Sequence, residues 1–273
     1  LTTRQCSCTQ SSVHEQKKFA TKIIILTKIF IFDTIIKVIN MTKKKSIPLI
    51  LFILIHLILY LFIYAFKIIT GKTETIADYI VVISCFLFSL VYFIIKRNSN
   101  TLIFVIAFLF TILADTNLLI LDDNYELGIL AFIIVQFAYF WYILKNMYTK
   151  DNYSYLIAIR LITIVIGVIA SLIVQTDKLL VCLVIIYISN LVINLIISII
   201  PRKRNLLFSL GLFLFLLCDI CVGCYNIGDI IDISNTSLFY KIANLPFNIA
   251  WLFYHPSQVL LAISNYIKEY EAN

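Results

Sequence analysis

The chain has 273 residues, 62% of them hydrophobic and 14% charged, with a mean hydropathy of +0.99. A soluble globular domain, roughly half apolar and about a quarter charged, is excluded. The formal charge of +7 sits in short clusters at the ends of apolar blocks rather than on one soluble face, which speaks for membrane topology and against nucleic acid.

Residues 1–40 stand apart. The first methionine is Met41, followed by Lys43, Lys44 and Lys45 and then by apolar sequence. This is the form of a natural start, so the preceding stretch is expected to be an over-extended reading of the gene. The alternative is a real leader, FATKIIILTKIFIFDTIIKVI, whose Lys22, Lys28, Lys37 and Asp33 make it a poor spanning helix and which has no small-residue cleavage pattern. Cys6, Cys8 and His14 therefore carry no functional weight. Residues 41–273 read as a single domain.

From Ser46 onward the apolar blocks are about as long as a bilayer is thick, ~20 residues each, which predicts an all-α polytopic membrane bundle rather than a barrel. Eight spans are expected, at about 46–66, 76–95, 101–121, 126–144, 155–175, 179–200, 206–225 and 240–263. The loops alternate in sign. Lys43 to Lys45, Lys96 with Arg97, Lys145 with Lys150, and Arg202 to Arg204 fall on one side; Asp122, Asp123, Glu126, Asp229 and Asp232 fall on the other. The positive-inside rule then puts both termini in the cytoplasm. Pro48 and Pro201 lie at span ends, whereas Pro246 and Pro256 lie in span eight. There a kink either lines a cavity or merely shapes packing.

Of the fifteen acidic residues, two read as lying well inside spans. Asp115 sits in FLFTILADTNLLI of span three and Asp219 in FLFLLCDICVG of span seven. An ionised carboxylate in the bilayer interior costs at least ~3 kcal/mol on insertion scales, so each is expected to be used or paired. They lie about fourteen and about thirteen residues from the starts of spans that run in the same direction, and hence at similar depth. A small residue precedes each, and the spacing suggests a duplicated four-span unit with parallel halves.

Other polar positions are fewer. Asn117 follows Asp115, Gln136 is in mid-span four, Asn190 and Asn194 share a face of span six, and Tyr254 and Gln258 share a wall of span eight. His56 and His255 read as packed or singly bonded side chains rather than ligands. The seven cysteines lie mostly in apolar segments and form no readable disulfide framework. Cys218, Cys221 and Cys224 have comb-like spacing, yet without matching His or Cys elsewhere they read as packing. No metal or other cofactor is expected.

The order small-Asp, ELGILAFIIVQFAYFWYIL, Cys-Asp and WLFYHPSQVLLAIS, with Tyr254, Pro256 and Gln258 as its most specific part, resembles the YhhN-like lysoplasmalogenase family of multi-pass membrane hydrolases over nearly all of residues 46–265. Ala114 and Cys218 stand where that family usually has Gly and Ser, and Gln136 where it often has His. No GxSxG, HExxH or phosphate-binding glycine loop competes with the resemblance. It implies cleavage of the vinyl ether bond of lysoplasmalogens to a fatty aldehyde and glycerophospho-ethanolamine or -choline. The partners implied are a lysophospholipid substrate and the bilayer.

Vinyl ethers hydrolyse through protonation of the alkene carbon, an oxocarbenium ion and capture by water. Two carboxylates sharing one proton in a low-dielectric site supply the acid and the anion, as in glycosidases. Asp115 and Asp219 are the expected catalytic pair, with their individual roles open. Tyr254, Gln258, Gln136 and Asn117 are the expected substrate-positioning residues. The head group is expected on the non-cytoplasmic side. The competing class is a proton- or cation-coupled transporter with a paired-carboxylate site; a third is a scaffold with buried polar side chains as glue.

Overall fold

A computed structural model describes residues 43–70, 75–173, 178–201, 205–226, 237 and 249–271. Two compact units, Leu1–Leu54 and Ile55–Asn273, divide the chain. The described part of the first is the opening of helix α1 (Lys43–Thr70), with Pro48 inside its second turn, where the missing N–H removes one helical hydrogen bond, the one to the Lys44 carbonyl. Residues 1–40, Arg202 to Arg204, Asp229, Asp232 and Pro246 lie outside the described residues.

The second unit carries the rest of α1 and seven further helices: α2 (Thr75–Lys96), α3 (Ser99–Asp115), α4 (Tyr125–Met147), α5 (Tyr153–Ile173), α6 (Lys178–Ile199), α7 (Leu206–Asn226) and α8 (Ala250–Glu271). No strand occurs among the described residues. Helices α1 to α7 are long and apolar enough to cross a membrane. The protein is an integral, multi-pass membrane protein. Lys96, Arg97, Lys145 and Lys150 are exposed at helix ends, as are Asp122, Asp123 and Glu126 at the opposite ends of α3 and α4.

Span eight departs from its expected bounds of 240–263. Its helix begins at Ala250 and continues through Pro256 to Glu271. Helix α8 packs against α7 and α2, and its polar residues His255, Ser257, Gln258, Ser264 and Asn265 are all buried. Enclosure by protein relaxes the demand for an apolar surface, so this helix tolerates a composition that the lipid-facing ones do not.

Local chemistry sets the ends. Asn98 caps α3, accepting a hydrogen bond from the Asn100 N–H at 2.9 Å. After Asp115 the helix widens into a π-helical stretch, Thr116–Leu121. There the Thr116 hydroxyl donates to the Ile112 carbonyl at 2.7 Å and the Asn117 amide to the Leu113 carbonyl at 2.8 Å. Both carbonyls also take the Thr116 backbone N–H, so the two side chains reinforce the last turn of α3 where the helix widens. Asp122 and Asn124, both with positive φ, close the turn into α4.

Within the second unit the helices follow one another as α2, α3, α4, α6, α7 and α8, and α8 returns to α2; α5 packs on α6. Phe104 of α3, Tyr139 and Tyr142 of α4 and Phe208 of α7 make a fully buried aromatic cluster. The Phe104–Tyr142 and Tyr142–Phe208 centroids are each 4.9 Å apart, and Phe104 meets Phe208 at 6.0 Å. Without a hydrophobic drive between helices in lipid, such packing holds them together, at about 0.5–1.5 kcal/mol per aromatic pair. Phe104 lies about three turns before Asp115 and Phe208 about three turns before Asp219, so the cluster sets the level of both acids.

Candidate active site

Asp115 ends α3 and is 2% exposed; Asp219, in the second half of α7, is half-buried. The two carboxylates lie within electrostatic range of each other. Each has its own phenol. Tyr254 of α8 donates to Asp115 Oδ2 at 2.5 Å, and Tyr187 of α6 donates to Asp219 Oδ2 at 2.6 Å. Each phenol engages the Oδ2 of its acid, and Oδ1 is the carboxyl oxygen that the phenol does not engage.

An aromatic wall links the two phenols. Tyr187 stacks on Phe132 at 5.5 Å, Phe132 meets Phe215 edge-on at 5.6 Å, and Phe215 meets Tyr254 at 5.8 Å. Trp251 braces the Tyr254 ring at 5.5 Å. These rings fix the phenols within a low-dielectric setting, where a charge-assisted hydrogen bond is stronger than in water.

The expected positioning residues divide. Tyr254 is at the carboxylates. Gln258, one turn along α8, is fully buried; its Nε2 donates to Ser257 Oγ at 3.3 Å and its Oε1 has no partner among the described residues. Gln136 takes part in a different cluster, with Asn194 Nδ2 donating to its Oε1 at 2.9 Å. Asn117 is buried, but its amide is committed to the Leu113 carbonyl and thus to the π-helical stretch.

Four residues were missed. Asp78, 2% exposed in the first turn of α2, is a third carboxylate, within electrostatic range of Asp115. Its first-turn position reads in sequence as an ordinary acid at a helix N-terminus. Tyr187 left no signal, because a tyrosine in an apolar run is common. Arg160, flanked by YLIAI and LITIV, did leave one: a lone cation inside an apolar block. Ser84 belongs to the histidine cluster.

The two histidines are not singletons. Ser84 Oγ donates to the Val81 carbonyl at 2.7 Å, so it accepts from His56 Nε2 at 2.8 Å. His56 Nδ1 then accepts from His255 Nε2 at 3.2 Å. Both rings are 3% exposed, and they join α1, α2 and α8. Cys218, Cys221 and Cys224 are buried free thiols along α7, and no metal-holding group of His, Cys, Asp or Glu occurs among the described residues.

No curated protein and no solved structure matches the chain. The sequence pattern of the YhhN family matches residues 80–265, which include Asp115, Asp219, Tyr187, Tyr254 and Gln258. With two thirds of its length covered, this multi-pass helical membrane protein belongs to the YhhN family.

Proposed function

We propose that the protein hydrolyses the vinyl ether bond of lysoplasmalogens, with Asp115 and Asp219 as the catalytic pair. The observation that carries this reading is the convergence of two intramembrane carboxylates from α3 and α7, each held by a phenol through Oδ2. One carboxylic acid protonates the alkene carbon through Oδ1. The other, as carboxylate, stabilises the oxocarbenium ion and takes a proton from the attacking water. The hemiacetal then collapses to the aldehyde and the glycerophospho-alcohol. Gln258, whose buried Oε1 has no partner among the described residues, accepts from the water, and its Nε2 is the donor for the ether oxygen.

The same reading includes two parallel four-helix halves with both termini in the cytoplasm. What supports the duplication is a shared burial pattern. Thr101, Phe104, Ala107, Phe108 and Ala114 of α3 are buried, and so are Asn205, Phe208, Gly211, Leu212 and Cys218 at the same offsets from Asp219. Counted from α4 to α8 in register, Gln136 answers to Gln258 and Phe132 to Tyr254. An acid and a glutamine then occupy matching positions in each half, although Gln136 bonds to Asn194 rather than standing at the carboxylates.

Purified protein in detergent, given lysoplasmalogen, tests the reading. Aldehyde release is expected from wild type and from neither Asp115→Asn nor Asp219→Asn. Folded wild type that releases no aldehyde sinks the assignment, and proton-coupled flux in liposomes would put the transporter in its place.

A further inference from the structure

Arg160 is 2% exposed, well inside α5. Its Nη1 donates to the Asn190 carbonyl at 2.9 Å and to Asn190 Oδ1, its Nη2 donates to Asn194 Oδ1, and its Cζ lies 4.4 Å from the Phe140 ring centroid. All of these partners are neutral. A guanidinium keeps its proton in a protein, so the charge needs an acceptor that answers it.

Among the described residues, two buried donors in this cluster have no partner: Arg160 Nε and Gln136 Nε2. One amide grips both residues. Asn194 accepts from Arg160 through Oδ1 and donates through Nδ2 to Gln136 Oε1 at 2.9 Å and to the Gln136 carbonyl at 2.8 Å. A fixed positive charge on α5 and a second orphan N–H on α4, two helices that both pack on α6, suit a phosphate, which takes several donors and carries the opposite charge.

The distance along α6 identifies which phosphate. Tyr187, Asn190 and Asn194 share one face at i, i+3 and i+7. At about 1.5 Å rise per residue, the two asparagines that hold Arg160 lie about 4.5 and about 10.5 Å beyond the phenol that holds Asp219. In a lysoplasmalogen six bonds separate the vinyl ether carbon from phosphorus, roughly 7 Å when extended, which falls within that axial interval.

We propose that Arg160 Nε and Gln136 Nε2 bind the phosphate of the lysolipid head group while its vinyl ether lies at Asp115 and Asp219. The proposal rests on the hydrolase reading for the identity of the lipid. It turns the head group toward the C-terminal end of α6, which the eight-span topology places on the cytoplasmic side, opposite to the direction expected from sequence.

The test uses ligands that the enzyme cannot cleave. Binding of a 1-O-alkyl lysophospholipid and of the matching 1-O-alkylglycerol, which lacks phosphate, is measured on the full chain in detergent. Wild type is expected to prefer the phosphate-bearing lipid by about tenfold or more, the scale of a charge-assisted contact. Arg160→Gln is expected to bring that ratio close to one, and Gln136→Leu to lower it several-fold. Wild-type ratios in both variants overturn the proposal. If Arg160→Gln does not fold, Gln136→Leu and Arg160→Lys decide on the same ratio. Inorganic phosphate that binds wild type without lipid, and loses this binding in the variants, would make the site one for a free anion and overturn the head-group assignment. Because nothing is cleaved, a phosphate preference that persists without any aldehyde release counts against the hydrolase reading alone.

Discussion

Tyr254 and Asp115, 139 residues apart in the chain, are joined by a 2.5 Å hydrogen bond inside the bundle. Tyr187 makes the matching bond to Asp219 at 2.6 Å. Each carboxylate is thereby aimed by a helix other than its own, α8 for the first and α6 for the second.

Removal of either phenol is expected to slow the chemical step. A hydrogen bond to a charged group contributes about 1.5–3 kcal/mol, so Tyr254→Phe and Tyr187→Phe should each lower kcat about tenfold or more. KM should change little, since the bond orients a catalytic group rather than the lipid. Steady-state aldehyde release checks both. A normal kcat in Tyr187→Phe would deny that tyrosine any positioning role.

Gly211 sets how closely α7 and α8 approach. A Cβ there would lie 2.8 Å from Leu261 Cγ and 3.3 Å from the Leu261 backbone nitrogen. Gly211→Ala is expected to cost about 1–3 kcal/mol through overpacking. Activity should fall with it, because α8 carries Tyr254. Thermal unfolding in detergent measures the loss, and Leu261→Ala in the same chain should restore part of it.

The histidine pair predicts a coupled loss. In His56→Leu, His255 and Ser84 each lose a hydrogen bond, at about 0.5–1.5 kcal/mol apiece. The double variant with His255→Leu should cost less than the sum of the singles. Additive losses in a double-mutant cycle would show that the 3.2 Å contact contributes nothing.

Thr116 ties the π-helical stretch to α2. Its Oγ1 lies 2.8 Å from the Tyr79 hydroxyl and donates to the Ile112 carbonyl at 2.7 Å. With its single proton spent on that carbonyl, it accepts from Tyr79. Thr116→Val is expected to destabilise the protein by about 1 kcal/mol. It should also reduce kcat, because the adjoining Asp115 turns with the bulge. Unfolding and turnover measured on one preparation separate the two effects.

What was legible in the sequence is what depends on one helix at a time. Block length and composition determined that the chain lives in a membrane, and the cost of a charge in lipid singled out Asp115 and Asp219. The Tyr254, Pro256 and Gln258 signature carried the family. Partnership between helices left little trace. His56 and His255 are 199 residues apart and Arg160 is 34 from Asn194, separations at which no spacing rule applies. Asp78 reads as an acid at a helix end, and only its burial against neighbouring helices makes it a third carboxylate of the site. Sequence by itself determined which residues are costly in a bilayer, because that cost belongs to each side chain and its depth. Tertiary structure decided which phenol holds which carboxylate and which asparagines hold the arginine, because those bonds depend on which helices become neighbours.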